Sequence, residues 1–195
     1  MTNLELGTSV ALGIGLAAAT GFRLFLPLLA LSIAAWTGHV NLSDSFAWLA
    51  TPSAVLMLGT AAIVEVAAFY IPGVDNLLDA VATPGAVVAG TIASAAVMTD
   101  VPPMLKWTAA VIAGGGVAGL TQGLTAMLRA KSTVFTGGLG NPAVATAELG
   151  GASLISILAL TAPAAALALV ALFFWLAFRL VRSLARGTGQ EDKAP

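Results

Sequence analysis

Arg23 lies within the apolar stretch Thr8–Trp36. An arginine at the centre of a membrane helix costs about 2.5–3.5 kcal/mol on translocon scales, so it must face the protein interior and meet an acidic partner. Two glutamates, Glu65 and Glu148, sit deep in other apolar stretches. A pair or triad of Arg23 with one or both of them is the economical arrangement. Such a centre has two readings: a substrate, ion or proton site, or an ion pair that fixes helix packing.

Further polar candidates cluster near the ends of apolar stretches. In the segment Ile71-Pro72-Gly73-Val74-Asp75-Asn76-Leu77-Leu78-Asp79, the two aspartates are one helical turn apart. Acidic residues favour the positive end of a helix dipole; alternatively, Asp75 and Asp79 join Glu65 in an oxygen-ligand cation site at the cytoplasmic mouth. Asn141, before Pro142, is placed to cap a helix that Pro142 begins, or that helix N-terminus holds an anion. The loop Thr136–Pro142 lacks the Lys-Ser/Thr ending of a phosphate-binding P-loop. Gln122 is expected to bond across a helix interface, and His39 to be solvated. Trp36, Trp48 and Trp107 read as interfacial anchors, and Arg179, Arg182 and Arg186 as contacts for anionic headgroups.

No enzyme is expected: the chain has one histidine, no HExxH and no dinucleotide fingerprint. No cofactor and no metal site is expected either. Cysteine is absent, which excludes disulfides and thiolate chemistry. Nine acidic and eight basic residues nearly cancel, to a net charge of −1, so bulk charge does not point to a nucleic-acid partner.

The elements that must position these residues are membrane helices. Of 195 residues, 58% are apolar and 9% charged, and mean hydropathy is +0.97. That leaves too little polar surface for a water-soluble globule. Continuous Ala/Leu-rich runs favour helices over the alternating strands of a barrel. Crossing a bilayer takes roughly 20 apolar residues, and six stretches approach that: Thr8–Trp36, Ser53–Ile71, Ala80–Met98, Trp107–Leu128, Ala143–Thr161 and Pro163–Val181. The N-terminus has no basic n-region, so a cleaved signal peptide is not expected. Arg129, Lys131, Arg179, Arg182, Arg186 and Lys193 gather on one side, with Lys106 opposite and Arg23 embedded. The positive-inside rule then predicts a cytoplasmic C-terminus, and six crossings put the N-terminus there too. This needs a tight turn near Thr161-Ala162-Pro163. The first stretch is interrupted by Gly21-Phe22-Arg23 and Pro27, which predicts a kink or break between residues 21 and 27; a tilted continuous helix is the alternative.

The chain divides into halves, 8–98 and 107–183, followed by a flexible cytoplasmic tail at 184–195. Gly13, Ala17 and Gly21 form a small-residue ridge, and Gly115, Gly119 and Gly123 form another 102 positions on. Such ridges let helix backbones approach closely in lipid. After each comes a helix opened by Pro52 or Pro142 and carrying one glutamate. Three crossings per half predict two inverted three-helix repeats, an arrangement that recurs in transporters and channels.

The runs Gly21-Phe22-Arg23-Leu24-Phe25-Leu26-Pro27 and Ile71-Pro72-Gly73-Val74-Asp75, with Glu65, Gly114-Gly115, Thr136-Gly137-Gly138, Asn141-Pro142 and Glu148, resemble a family of small bacterial membrane proteins known as domain of unknown function 4126. The resemblance spans roughly residues 10 to 175. It implies a multi-pass bacterial inner-membrane protein and supplies no activity. Family members often carry His and Lys where this chain has Gln122 and Thr125, and Asp-Lys where it has Phe69-Tyr70. They often have an acidic residue at the position of Leu149. Weight therefore falls on Arg23, Glu65, Glu148, Asp75 and Asp79; Asn141 is expected with the two aspartates at the cytoplasmic mouth of a path. The expected function is a transporter or channel for an ion or small polar solute. The alternative is a non-transporting scaffold, assembly factor or accessory subunit. Expected partners are the lipid bilayer, an unidentified small solute or ion, and further copies of the chain in a homo-oligomer.

Overall fold

The computed structural model describes residues 3–71 and 73–187. Among them are seven long helices: α1 (Asn3–Thr20), α2 (Phe25–Trp36), α3 (Pro52–Phe69), α4 (Val74–Val97), α5 (Pro103–Thr136), α6 (Asn141–Thr161) and α7 (Pro163–Gly187). A 3₁₀ segment, Asp44–Ala50, precedes α3. No strand occurs among the described residues. Helices α3, α4, α5 and α6 are each long and apolar enough to cross a membrane, and the fold is that of a multi-pass helical membrane protein. The helix start at Ala80 moves back to Val74, and α5 runs eight residues past Leu128. The segment expected as a tail at 184–195 is helical to Gly187; residues 188–195, including Lys193, lie outside the described residues, as does Pro72.

The expected break in the first stretch is present, over residues 21–24, and it does more than bend a crossing. Gly13 packs on Ser94, near the C-terminal end of α4. Beyond α2, the amide of Ser43 donates to the carbonyl of Ala96, at that same end. The chain therefore enters and leaves the bundle on one face, called upper here, and α1 and α2 are the antiparallel legs of a hairpin. Leu16 of α1 shares its apolar cluster with Leu28 and Leu31 of α2, as antiparallel legs require. The tip is at half depth: Phe22 packs against Gly151, midway along α6.

This geometry differs from six crossings with both ends on one side. Helices α3 to α7 alternate in direction through the bundle, α3 to α6 being long and apolar enough to cross a membrane, and the first stretch turns back within it. At α7, Ala166 meets Gly15 and the ring of Phe173 meets that of Phe22, centroids 5.1 Å apart. So α7 runs parallel to α1 and ends on the lower face, opposite the face where α1 begins. The physical reason is that hydropathy alone does not distinguish one 29-residue crossing from two short legs. The tight turn at Ala162-Pro163 is present, and it does return Arg179 and Arg182 to the end of the bundle where α5 finishes.

Close helix approach explains most of the small residues. A Cβ at Gly13 would stand 2.7 Å from Ser94 Oγ, and one at Gly21 would stand 2.5 Å from the Ala118 carbonyl oxygen. Ala17 is fully buried. Gly115 and Gly119 meet Thr91 and Val87 of α4, and so belong to packing, as expected. Gly123 does not: a Cβ there would meet nothing within 4 Å. Gly90 and Gly114 take its place, on the two sides of the same α4–α5 seam. Around Gly114 the α5 backbone widens to π-helical over Ala110–Gly115. Because α1 and α5 run in the same direction, their glycine ridges are not inverted counterparts of one another.

Candidate functional site

Three charged residues meet because their helices enter from the lower face and count to the same depth. Arg129 lies seven residues before the end of α5 at Thr136, and Glu148 seven after the start of α6 at Asn141. Asp79 is five after the start of α4 at Val74. At 1.5 Å per residue, all three are about 8–10 Å in from their helix ends. The Arg129 guanidinium spans the other two, with Nη1 donating to Asp79 Oδ1 and Nη2 to Glu148 Oε2. Gln122 Nε2 donates to the same Asp79 oxygen at 3.2 Å. From above, Arg23 reaches down from the hairpin tip to Glu148 Oε2 at 3.3 Å and donates to the Ala145 carbonyl at 2.8 Å. Arg23 and Arg129 are each 1% exposed and Glu148 is 3% exposed. Both guanidiniums also lie over the ring of Phe69, at 4.2 and 4.5 Å from its centroid, a contact that strengthens when desolvated. Two positive and two negative side chains thus balance within one buried layer.

Glu65 is not a member of that layer. Its two carboxylate oxygens accept from the backbone amides of Leu24 and Phe25 at 2.6 and 3.0 Å. It therefore caps the start of α2, where unpaired amides and the positive end of the dipole favour an anion. Arg23 accordingly takes its carboxylate from Glu148 rather than from both glutamates.

Asp75 does what helix-start chemistry predicts. Its Oδ1 accepts from the amides of Gly73 and Asn76 at 2.9 and 2.8 Å, and Gly73 takes φ +88° to make the turn. Its other oxygen accepts from Asn141 Nδ2, which also reaches Thr133 Oγ1 at 2.9 Å. Asn141 is therefore a tie between α4, α5 and α6, and the cap expected of it is absent; the residue preceding the helix is Gly140. Asp75 and Asp79 do not converge with Glu65, and no group of three His, Cys, Asp or Glu side chains that could hold a metal occurs among the described residues. His39 is exposed and bonded to Thr37 at 2.8 Å. Trp36, Trp48 and Trp107 are each about half exposed at the upper end. Arg179 and Arg182 lie over Trp175 and Phe178 near the lower end of α7; the Arg186 side chain lies outside the described part of the structure.

Arg129 is the residue that sequence reasoning missed. It falls just beyond the apolar run ending at Leu128, where by sequence it reads as part of a cytoplasmic connector. The signal that locates it is Gly137-Gly138, whose φ values of +63° and +90° terminate α5: measured back from that stop, Arg129 is two turns inside the helix. Phe69, between the two guanidiniums, carried no sequence signal of its own.

Two clefts border the centre. One, of about 670 Å³, lies between α3 and α4 and is lined by Leu24, Phe25, Glu65 and Phe69 among mostly apolar side chains. The other, of about 360 Å³, lies between α5, α6 and α7 and reaches Glu148. No curated protein and no solved structure matches the chain. The profile of the family described as Domain of unknown function (DUF4126) matches residues 10–183, nearly its whole length, and the chain belongs to that family.

Proposed function

We propose that the protein is a small transporter or channel for an ion or small polar solute, and not an enzyme. Arg23, Arg129, Asp79 and Glu148 form its intramembrane centre. The carrying observation is a helical hairpin whose tip stops at half depth and delivers Arg23 into a charged layer. Non-helical backbone at membrane depth is tolerated where it is buried in protein or lines a path, and half-helix ends at the midplane mark the binding sites of many transporters. Asp75, Asn141 and Thr133 continue the polar layer toward the lower face, where access would begin. The positive-inside rule assigns that face, with Lys131, Arg179 and Arg182, to the cytoplasm. In this reading the inverted relation pairs the alternating helices α2–α4 with α5–α7 and leaves α1 outside the repeat. The membrane is a plasma membrane, and a homo-oligomer is compatible with the exposed apolar helix faces.

The test is flux in proteoliposomes across a panel of inorganic ions and small polar metabolites. The expected result is flux that Glu148→Gln and Arg23→Ala abolish, and that Val134→Ala, on the lipid-facing side of α5, preserves. Flux undiminished in both centre variants, or none above that of empty liposomes, would overturn the proposal.

A second reading, a scaffold or accessory subunit, is favoured by one observation. The four charges are paired with one another, and the two bordering clefts are mostly apolar. Stoichiometric co-purification with another membrane protein, together with the absence of any flux, would select it.

A further inference from the structure

The start of α2 already holds a carboxylate. The amides of Leu24 and Phe25 donate to the two oxygens of Glu65 at 2.6 and 3.0 Å, the grip that a helix N-terminus takes on an anion. The carboxylate comes from another helix, α3, because the residue at the cap position, Leu24, makes no side-chain cap. Arg23, which precedes these amides, is buried and makes its bonds to Glu148 and Ala145 through Nη2. Its Nε and Nη1 are buried without a hydrogen-bond partner, and buried donors left unmade are costly. The guanidinium also acts electrostatically on Glu65. Glu65 is only part-buried, and it lines the 670 Å³ cleft between α3 and α4 together with Leu24 and Phe25.

We infer that the start of α2 is a binding site for a short-chain aliphatic monocarboxylate, and that Glu65 is the internal occupant which such an acid displaces. The Glu65 side chain, a carboxylate on two methylenes, displays the chemistry the site accepts. Amide N–H and guanidinium groups are all donors, which suits an anion and excludes a cation. The apolar walls, with Met57, Val64 and Val81, receive an alkyl tail. The exchange conserves charge. The acid enters neutral, its O–H bond breaks, and the proton forms an O–H bond on Glu65. The freed carboxylate then takes the two amides, and Glu65 turns into the cleft as a neutral carboxyl, since a bare carboxylate among apolar side chains is costly. Arg23 is the charged group facing Glu65, and no other titratable side chain lines the cleft among the described residues. Naming this acid as the transported solute rests on the transport reading; the binding site does not.

The experiment uses the full chain in lipid nanodiscs, with butyrate as the probe and butyramide, its neutral counterpart, as the control. In Glu65→Ala the amides of Leu24 and Phe25 lose their occupant. Sodium butyrate at about 100 mM should then slow their hydrogen exchange about tenfold, the protection given by a dissociation constant of about 10 mM. Butyramide at matched ionic strength should protect them far less, because charge-assisted bonds are about twice as strong as neutral ones. By saturation-transfer NMR, butyrate should bind the unsubstituted chain saturably and about tenfold more weakly than Glu65→Ala, because the internal carboxylate competes. No protection by butyrate, equal protection by butyramide, or equal affinity with and without Glu65 would each overturn the inference. Should Glu65→Ala fail to fold, Glu65→Gln takes its place, and absence of saturable binding to the unsubstituted chain is decisive by itself. Butyrate protection without flux of any solute would support this site and overturn the transport reading. Flux of another solute without butyrate protection would overturn this site and leave transport standing.

Discussion

Replacing Arg129 with methionine isolates the energetics of the charged layer. Methionine keeps much of the side-chain volume and the contact with Phe69, and removes the guanidinium that touches both Asp79 and Glu148. Glu148 keeps Arg23 at 3.3 Å, whereas Asp79 keeps only the neutral Gln122 at 3.2 Å. One carboxylate is then buried without a counter-charge, and breaking a buried pair in this way costs about 3–5 kcal/mol. For a chain of this length, each kcal/mol moves the melting temperature by about 2–4 °C, so Arg129→Met should melt about 6–20 °C lower in detergent. The compensating variant Arg129→Met/Asp79→Leu removes both charges and restores neutrality. Replacing a buried pair with apolar groups is often nearly neutral, so it should recover more than half of that loss. Arg179→Met, at the lower end of α7, serves as the exposed control and should stay within about 2 °C. An Arg129→Met melt inside the same narrow range would refute the reasoning. So would a double variant that loses the full sum of the two single losses, because uncoupled residues add.

Three further expectations follow from the packing and the chain path. Gly21→Ala puts a methyl group 2.4 Å from Thr121 Cβ and should destabilise by about 1–3 kcal/mol through overpacking, whereas Gly123→Ala, with open space around it, should be neutral or stabilising by up to about 1 kcal/mol; thermal melts compare the two. The absence of cysteine makes single-cysteine labelling clean: with a membrane-impermeant maleimide, Gly7→Cys and His39→Cys should react from one side and Leu139→Cys from the other, and reaction of Gly7→Cys together with Leu139→Cys would reinstate a full first crossing. Glu65→Ala removes the cap on α2, so amide exchange at Leu24 and Phe25 should accelerate about ten- to a hundredfold while the amides of Ala93 and Ala96 in α4 stay protected; unchanged exchange at the hinge would mean that the cap contributes nothing.

The helical membrane class, the break after Thr20, the turn at Ala162-Pro163 and the pairing of Arg23 with Glu148 were legible because each rests on a local cost. A charge in lipid must be met, proline and glycine interrupt a helix, and apolar runs must be covered. The direction of the chain after the break was not legible. Both a kinked crossing and a re-entrant hairpin break the helix at the same residues, and long-range contacts such as those of Gly13 with Ser94 and of Ser43 with Ala96 separate them. Arg129 was hidden for a related reason. Hydropathy locates where apolar residues stop, but α5 continues for two more turns, so a residue that looked like a connector charge became the bridge of the centre. Glu65 was misassigned because a carboxylate at membrane depth has two ways to be satisfied, a cation or the open amides of a broken helix, and the break itself supplied the second.

The hairpin also bears on the proposed path. Below its tip the packing is polar, from Asp75, Asn141 and Thr133 to Asp79 and Gln122 and on to Arg129, Glu148 and Arg23. Above the tip, Leu16, Ala17 and Ala19 of α1 and Leu31 of α2 are buried along with Ala93 and Ala96 of α4. Small side chains and glycine contacts bring those backbones too close for a hydrated passage. In the transporter reading, a solute that reached Arg23 from the lower face would meet this close-packed plug, in which Ser32, Ser94 and Ser156 are buried too, and crossing would require the hairpin to shift against α4. The bonds that hold the tip in place are the Glu65 cap and the Arg23 contacts with Glu148 and Ala145. One of these, the Arg23–Glu148 pair, lies within the charged centre itself. In that reading, a solute competing for Glu148 would weaken the attachment of the plug, which would couple binding to opening through a single carboxylate. In a purely structural role the same bond has no reason to be exchangeable, which makes the lability of the Arg23–Glu148 pair the property on which the two readings divide.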